Sequence, residues 1–195
     1  MTTLADKLRA GRRLTAIGFD DGPFERAAGS VVPLVGAVCI GTRFEGLLWG
    51  ETVRDGEGAT DAMAGMLTGS KFASQVHVVL TDGIAVGGLN VIDLPALAGA
   101  VGVPCIAVMR RAPDRDAMRR AMERLPAPDR RWATVRRAGE VHQQGGFTFQ
   151  VVGIDPDEAA LVLGALTDRG NVPEPLRLAH LIGAAVVTGV SGKRA

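Results

Sequence analysis

The sequence predicts an α/β fold, with a mixed sheet of about five to six strands flanked by helices. Two patterns indicate this class. Three strand-like apolar segments come first, and strand-like and helix-like segments then alternate to the end of the chain. The composition suits one packed domain over residues 1–195, because 47% of the residues are hydrophobic and 22% are charged, with no linker or internal repeat.

The first third of the chain predicts three strands. Each segment is rich in β-branched and other apolar residues and is bounded by Gly, Pro, Asp or Arg. A short polar turn at 41–43 joins the second strand to the third. The three predicted strands are 14–19, 31–41 and 44–53.

The remainder of the chain predicts helices with an apolar stripe and strands buried on both faces. The helix over 155–170 has a clear start, with Asp155 as N-cap, Pro156 at N1 and Glu158 at N3. In chain order, the other predicted elements are a helix at 58–70, a strand at 75–83, a helix at 94–102, a strand at 103–110, a helix at 113–125, a sixth strand at 146–154 and a final helix at 176–187.

Composition argues against several classes of protein. Aromatic residues make up 4% of the chain and Tyr is absent, which disfavours a base-stacking platform. We expect neither a secretory signal nor a membrane span, because charges are spread through residues 1–14 and no long apolar run occurs. Cys39 and Cys105 lie in apolar runs and predict buried thiols of a cytoplasmic protein. The glycines of 83–90 match no dinucleotide or P-loop pattern, so no nucleotide cofactor is expected.

Positive charge is concentrated in one segment. Residues 110–137 contain ten Arg and four acidic residues, a local excess of +6 in a chain whose net charge is +1. A basic patch of this kind can bind phosphate, whereas the near-neutral total implies only modest non-specific affinity for nucleic acid. An ordinary Arg-rich helix facing solvent explains the segment equally well.

Carboxylates follow three of the predicted strands. Asp20 and Asp21 end the first, Glu51 ends the third, and Asp82 ends the strand over 75–83. Ligands gather at the carboxyl ends of strands in such sheets, and carboxylate oxygens are ligands that Mg²⁺ prefers. Each acid singly is also consistent with a solvated turn, because Asp, Gly and Pro are turn residues. Three such acids together favour a metal site.

Four segments together resemble the endonuclease dU family. They are 17–24, 80–93, 103–113 and 169–181, and the resemblance runs from about residue 14 to about residue 190. That family is in turn similar to endonuclease V, a ribonuclease H-like nuclease that acts on deaminated bases. The resemblance therefore implies a ribonuclease H-like fold, a Mg²⁺ or Mn²⁺ cofactor, and DNA or RNA as the partner.

The resemblance also implies roles for individual residues. Asp20 would bridge the metals, Glu51 and Asp82 would each complete a site, and His180 would help to position the second ion or the attacking water. By its sequence alone, a lone histidine such as His180 on an apolar helix is more often a core or surface histidine than a ligand. The aromatic-Pro-Gly wedge of endonuclease V has no clear counterpart between residues 38 and 48.

A second set of residues is expected to contact nucleic acid. Arginines would hold phosphate oxygens, and a Gly-rich loop would leave room for an unstacked base. These residues are Arg110, Arg111, Arg115, Arg119, Arg177, Gly83, Gly87 and Gly88.

The expected function is Mg²⁺-dependent endonuclease cleavage of nucleic acid that contains a uracil- or hypoxanthine-type base, in DNA repair. The alternatives are a non-catalytic nucleic-acid-binding protein of the same fold and a metal-dependent hydrolase of a small phosphorylated metabolite.

Overall fold

The computed structural model describes residues 2–192, and a seven-stranded mixed sheet forms the centre of this part of the chain. The strands are β1 (Thr15–Asp21), β2 (Val31–Ile40), β3 (Arg43–Val53), β4 (Val78–Asp82), β7 (Cys105–Met109), β8 (His142–Gln144) and β9 (Phe147–Val152), and a separate hairpin consists of β5 (Ala85–Val86) and β6 (Asn90–Val91). The strand order is β3-β2-β1-β4-β7-β9-β8, in which β1, β4 and β7 are parallel neighbours and the other pairs are antiparallel.

Seven helices are found in the described residues, and they cover both faces of the sheet. The helices are α1 (Leu4–Arg9), α2 (Ala59–Thr68), α3 (Leu94–Val101), α4 (Arg115–Met122), α5 (Pro128–Arg137), α6 (Pro156–Ala165) and α7 (Glu174–Thr188). Helices α1, α6 and α7 pack on one face, which we call the α7 face. Helices α2 to α5 pack on the other, the α2 face.

Alternation along β1 decides which residues face which layer. Ile17 and Phe19 are buried in the core of the α2 face, whereas Ala16 is buried in the core of the α7 face. Because successive side chains of a strand point to opposite faces, Asp20 belongs to the α7 face and Asp21 to the α2 face. The two adjacent carboxylates therefore leave the strand in opposite directions.

Helix α7 lies unusually close to β1. A Cβ added to Gly18 would lie 2.5 Å from the carbonyl carbon of Pro175 and 2.6 Å from the backbone nitrogen of Leu176. A side chain at residue 18 would therefore collide with the backbone at the start of the helix. Gly18 allows the first turn of α7 to pack directly on the strand that ends in Asp20.

The predicted mixed sheet with flanking helices is confirmed, with one strand more than the predicted maximum. All six predicted strands and all predicted helices are present, and Asp155 caps α6 by accepting the Glu158 N–H. The structure adds α1, α5, β8 and the β5–β6 hairpin, and the helix predicted over 113–125 ends at Met122. Cys39 and Cys105 are buried and free. Within residues 2–192, no helix has the length and apolar character needed to cross a membrane.

Candidate active site

Two of the predicted acids lie side by side on the α7 face. Phe19 of β1 is opposite Thr81 of β4 in a parallel pair, so the next residues along the two strands, Asp20 and Asp82, are neighbours. Adjacent strands are about 4.8 Å apart, which brings these two side chains to the same edge of the sheet. Asp20 is 5% exposed and Asp82 is half-buried.

Helix α7 brings His180 to the same point. His180 Nδ1 lies 2.9 Å from Asp20 Oδ2, and the other oxygen of Asp20 accepts the Asp21 N–H at 2.8 Å. The imidazole is about a third exposed, at 35%, while the Asp20 side chain is 7% exposed. The close packing of α7 on Gly18 therefore places an imidazole over a buried carboxylate and leaves one side of the pair open to solvent.

Asp21 reaches the β5–β6 hairpin on the opposite face. Its Oδ2 accepts a hydrogen bond from the Gly87 N–H. Burial raises the pKa of Asp21, and the negative charge of Asp82 raises it further, while the Gly87 N–H opposes the change. The charges of Asp21 and Asp82 therefore repel each other, although the Asp21 side chain leaves the strand on the α2 face.

The cluster holds more negative charge than its surroundings compensate. Burial raises the pKa of Asp20 to about 7, with smaller contributions from the charges of Asp82 and Asp21, and the hydrogen bond to His180 works in the opposite direction. Burial likewise raises the pKa of Asp82, although Arg110 and His180 partly offset this. Such a site is stabilised by a proton or by a cation.

The raised pKa of Asp20 predicts how metal-free protein responds to pH. The folded state keeps its proton to about pH 7, whereas the unfolded chain releases it near 3.8. The free energy of unfolding should therefore fall as the pH rises from about 4 to about 7, by on the order of 2–4 kcal/mol. Urea unfolding in EDTA at several pH values measures this change, and Asp20→Asn should reduce it. An equal pH dependence in the wild type and in Asp20→Asn would contradict the assignment of the change to Asp20.

The carboxylates of Asp20 and Asp82 and the imidazole of His180 suit a hard divalent cation, but their present positions do not form a coordination shell. Within residues 2–192, no three His, Cys, Asp or Glu side chains stand together in a metal-coordinating arrangement. Asp20 Oδ1 accepts the Asp21 N–H, and Asp20 Oδ2 is hydrogen-bonded to His180 Nδ1. Carboxylate oxygens with one imidazole fit Mg²⁺ or Mn²⁺ after small side-chain rotations.

The structure does not bring Glu51 to this cluster. Glu51 is exposed on β3, opposite Pro33 of β2, and β2 lies between β3 and β1. Two strand spacings separate β3 from β1 by about 10 Å. Glu51 therefore ends its strand at the same edge of the sheet as Asp20, separated from it by β2.

Asp55 is an acid near the site that we did not predict from the sequence. It lies in the turn after β3, and its Oδ1 accepts the Leu89 N–H at 2.9 Å. Its backbone N–H donates to the Gly87 carbonyl at 2.9 Å, so Asp55 and Asp21 bind the same hairpin. Its φ of 54° is uncommon outside glycine and occurs often at functional sites. The Asp-Gly dipeptide was the only sequence signal, and it indicates no more than a turn.

Arg110 and Arg177 line a small pocket together with Asp82 and His180. Arg110 is exposed, and its positive charge lies close enough to Asp82 to oppose the rise in the pKa of that carboxyl. Arg177 is already engaged, because its guanidinium makes a bidentate ion pair with Glu174 in which both distances are 2.8 Å. Of the two, Arg110 is therefore the better placed to meet a phosphate beside the acids.

The other predicted arginines lie further along the chain from the acids. Arg111 is exposed just after β7. Arg115 donates to the Gly139 carbonyl at 3.3 Å, and Arg119 stacks over the Trp132 ring at 5.7 Å. All three are exposed, so they are able to form a basic surface that continues from Arg110 along α4.

The predicted Gly-rich loop is only partly open. Gly83, Gly87 and Gly88 all have positive φ, as their turns require. A Cβ at Gly88 would lie 2.5 Å from Asp55 Oδ1, and one at Gly87 would lie 2.8 Å from Val32, so both positions are already filled by neighbouring side chains. Only Gly83 of the three has no neighbour within 4 Å of such a Cβ.

The chain is similar in sequence and in structure to several known proteins. The endonuclease dU family model matches residues 12–187. A UPF0215 protein of Deinococcus radiodurans is 40% identical over 94% of each chain, and a crystal structure of a protein of unknown function from Archaeoglobus fulgidus is 35% identical, with a TM-score of 0.84 over 91% of this chain and 99% of that one. Endonuclease V of Bacillus subtilis shares the fold at 12% identity, with a TM-score of 0.60 over 97% of this chain and 94% of that one. The protein therefore belongs to the endonuclease dU family.

Proposed function

We propose that this protein is a metal-dependent endonuclease that hydrolyses phosphodiester bonds in nucleic acid containing a deaminated base of the uracil or hypoxanthine type. The observation that carries the proposal is the adjacent pair of buried Asp20 and half-buried Asp82, with His180 hydrogen-bonded to Asp20, at the carboxyl edge of β1 and β4. Membership of the endonuclease dU family and the fold shared with endonuclease V support it. Endonuclease V of Ciona intestinalis has been crystallised with DNA containing an inosine, which supports this substrate class.

Asp20, Asp82 and His180 would hold Mg²⁺ or Mn²⁺ in this proposal. A divalent cation bound there would stabilise the charge that develops on the phosphate and activate a water. His180 Nδ1 lies within hydrogen-bond distance of Asp20 Oδ2, so the imidazole would keep this carboxylate oriented for the cation. Asp21 holds the β5–β6 hairpin against the site.

Arg110 and Arg111 would bind phosphate oxygens on either side of the scissile bond. Both follow the end of β7, and Arg110 lines the pocket that contains Asp82 and His180. Contacts of this type fix the register of the nucleic acid without reading its sequence. A role in DNA repair would follow if DNA proves to be the substrate.

The acids predict an order of effects on cleavage. We expect Asp82→Asn to lower kcat by roughly 10³-fold, because it removes a carboxylate beside Asp20, and Glu51→Gln to lower kcat by less than about threefold, because Glu51 is exposed two strands away. Asp55→Asn should lie between the two. Single-turnover cleavage of end-labelled oligonucleotides carrying one uracil or one hypoxanthine, as DNA and as RNA, with Mg²⁺ or Mn²⁺, measures all three.

The same assay separates the proposal from its alternatives. A loss in Glu51→Gln as large as that in Asp82→Asn would show that Glu51 acts directly at the site. Binding of the modified oligonucleotide without cleavage in either metal would support a non-catalytic nucleic-acid-binding protein. Hydrolysis of small phosphate esters with no cleavage of oligonucleotides would favour the hydrolase of a phosphorylated metabolite.

A further inference from the structure

Arg131 on α5 is buried, whereas the other three arginines of that helix are exposed. It is 5% exposed, and a guanidinium is costly to bury unless its donors are satisfied. The carboxylate of Glu57 lies 3.8 Å from Arg131 Nη2, which is too far for a hydrogen bond. The buried charge therefore depends on other partners.

Those partners are backbone carbonyl oxygens from three separate segments. Arg131 Nε donates to Pro126 at 2.9 Å, Nη1 donates to Gly56 at 2.7 Å and to Leu89 at 2.9 Å, and Nη2 donates to Asp55 at 2.7 Å. The planar fork of a guanidinium can reach four acceptors at once, which a lysine ammonium cannot do in the same geometry. Arg131 thus ties α5 to the turn after β3 and to the β5–β6 hairpin.

The two tied turns are also the ones that hold the acids on the α2 face. The hairpin donates its Gly87 N–H to Asp21 and its Leu89 N–H to Asp55. Asp55 keeps a left-handed backbone, with φ of 54°, which is uncommon for a residue other than glycine and persists only where its surroundings hold it. Arg131 binds the carbonyl of that strained residue directly.

We propose that Arg131 is a positioning residue for the acidic site, holding the 55–56 turn and the 87–89 turn in register so that Gly87 keeps its hydrogen bond to Asp21 and Leu89 keeps its bond to Asp55. This inference rests on the proposed function, because the turns that Arg131 holds belong to the proposed endonuclease site. It assigns Arg131 no contact with nucleic acid, because the guanidinium is buried and four of its five N–H groups already donate to carbonyl oxygens.

Amide hydrogen exchange tests the positioning directly and does not depend on catalysis. We expect Arg131→Met to speed exchange at the Gly87 and Leu89 amides by at least about tenfold under conditions where the variant is still folded, while the amides of β1 keep their protection. Arg131→Lys should give an intermediate increase. Arg136→Met is the matched control, because Arg136 is an exposed arginine of the same helix, and it should leave the hairpin unchanged.

Cleavage per folded molecule gives the second measurement. If the wild type cleaves a uracil- or hypoxanthine-containing oligonucleotide, Arg131→Met should lower kcat by roughly tenfold or more with a smaller change in KM, and Arg136→Met should match the wild type. An inactive wild type would count against the proposed function alone, since the exchange data would still decide the role of Arg131.

Three results would overturn the inference. The first is wild-type exchange at Gly87 and Leu89 in Arg131→Met. The second is a uniform increase in exchange over the whole chain, which would indicate a general loss of stability. The third is a local increase in the hairpin that leaves kcat unchanged in an active enzyme.

Discussion

Asp20→Asn should abolish cleavage and at the same time stabilise the metal-free protein at pH 8. The substitution keeps the shape of the side chain but removes the charge that Asp82 and Asp21 oppose, in a site where burial raises the Asp20 pKa to about 7. We expect kcat to fall by at least roughly 10³-fold, because the buried carboxylate would be the central cation ligand. The free energy of unfolding should rise by on the order of 1–3 kcal/mol, which raises the Tm by roughly 3–8 °C.

Thermal unfolding in EDTA at pH 8 and at pH 5 measures the stability change. The gain should shrink at pH 5, where most wild-type molecules already carry a proton on Asp20. Asp61→Asn is a suitable control, because Asp61 is exposed in the first turn of α2 and its change should alter stability by less than about 0.5 kcal/mol. Wild-type cleavage by Asp20→Asn, or a lower Tm than wild type at pH 8, would contradict the assignment.

Gly18→Ala should destabilise the protein strongly although it adds a single methyl group, and it should also damage the site. The new Cβ would lie 2.5 Å and 2.6 Å from two backbone atoms of α7, at Pro175 and Leu176, and a helix backbone cannot give way cheaply. We expect a loss of roughly 3 kcal/mol in the free energy of unfolding. Displacement of α7 would also draw His180 away from Asp20, so kcat per folded molecule should fall.

Urea unfolding and single-turnover cleavage together test this prediction. Gly65→Ala is the matched control, because Gly65 lies inside α2 and no atom stands within 4 Å of a Cβ added there. The control should gain about 0.5–1 kcal/mol from the higher helix propensity of alanine and keep full activity. Gly18→Ala with the stability and activity of the wild type would show that α7 does not depend on this close approach.

Much of the sheet was predictable from the sequence, because most of its strands are long, continuous apolar runs. The segment 75–83 is continuous and β-branched, and it forms the central strand β4. The elements that were not predicted have weaker local signals. Strand β8 has three residues, and β5 and β6 have two residues each, which is too short for a period-two pattern to be recognised.

Helix α5 shows a second reason why a structural feature cannot be predicted from the sequence. Its sequence, PDRRWATVRR, looks exposed and basic, yet Arg131 and Val135 are buried. A single buried arginine among exposed ones is not visible in a sequence, since all four have the same side chain. The burial follows from the backbone carbonyls of two distant turns, which reach Arg131 only in the folded chain.

The predicted site residues also divide into those whose place the sequence indicates and those whose place depends on the tertiary structure. Asp20 and Asp82 each end an apolar run in the sequence, and they are neighbours because β1 and β4 are adjacent parallel strands, which the sequence left open. His180 was indicated only by resemblance to a family, because its proximity to Asp20 depends on how closely α7 packs on Gly18. Glu51 ends a strand as expected, but β2 lies between that strand and β1.

The sequence by itself determined the fold class and the strand ends at which the acids stand, because apolar periodicity and turn residues are local properties, and four short segments indicated the family by resemblance. Only the tertiary structure decided that Asp20 and Asp21 serve opposite faces, that Glu51 stands apart and that Asp55 lies beside the hairpin. These outcomes depend on strand order, on side-chain direction and on the approach of α7 and α5 to the sheet. Each of these couples residues far apart in the chain, so no local pattern records it.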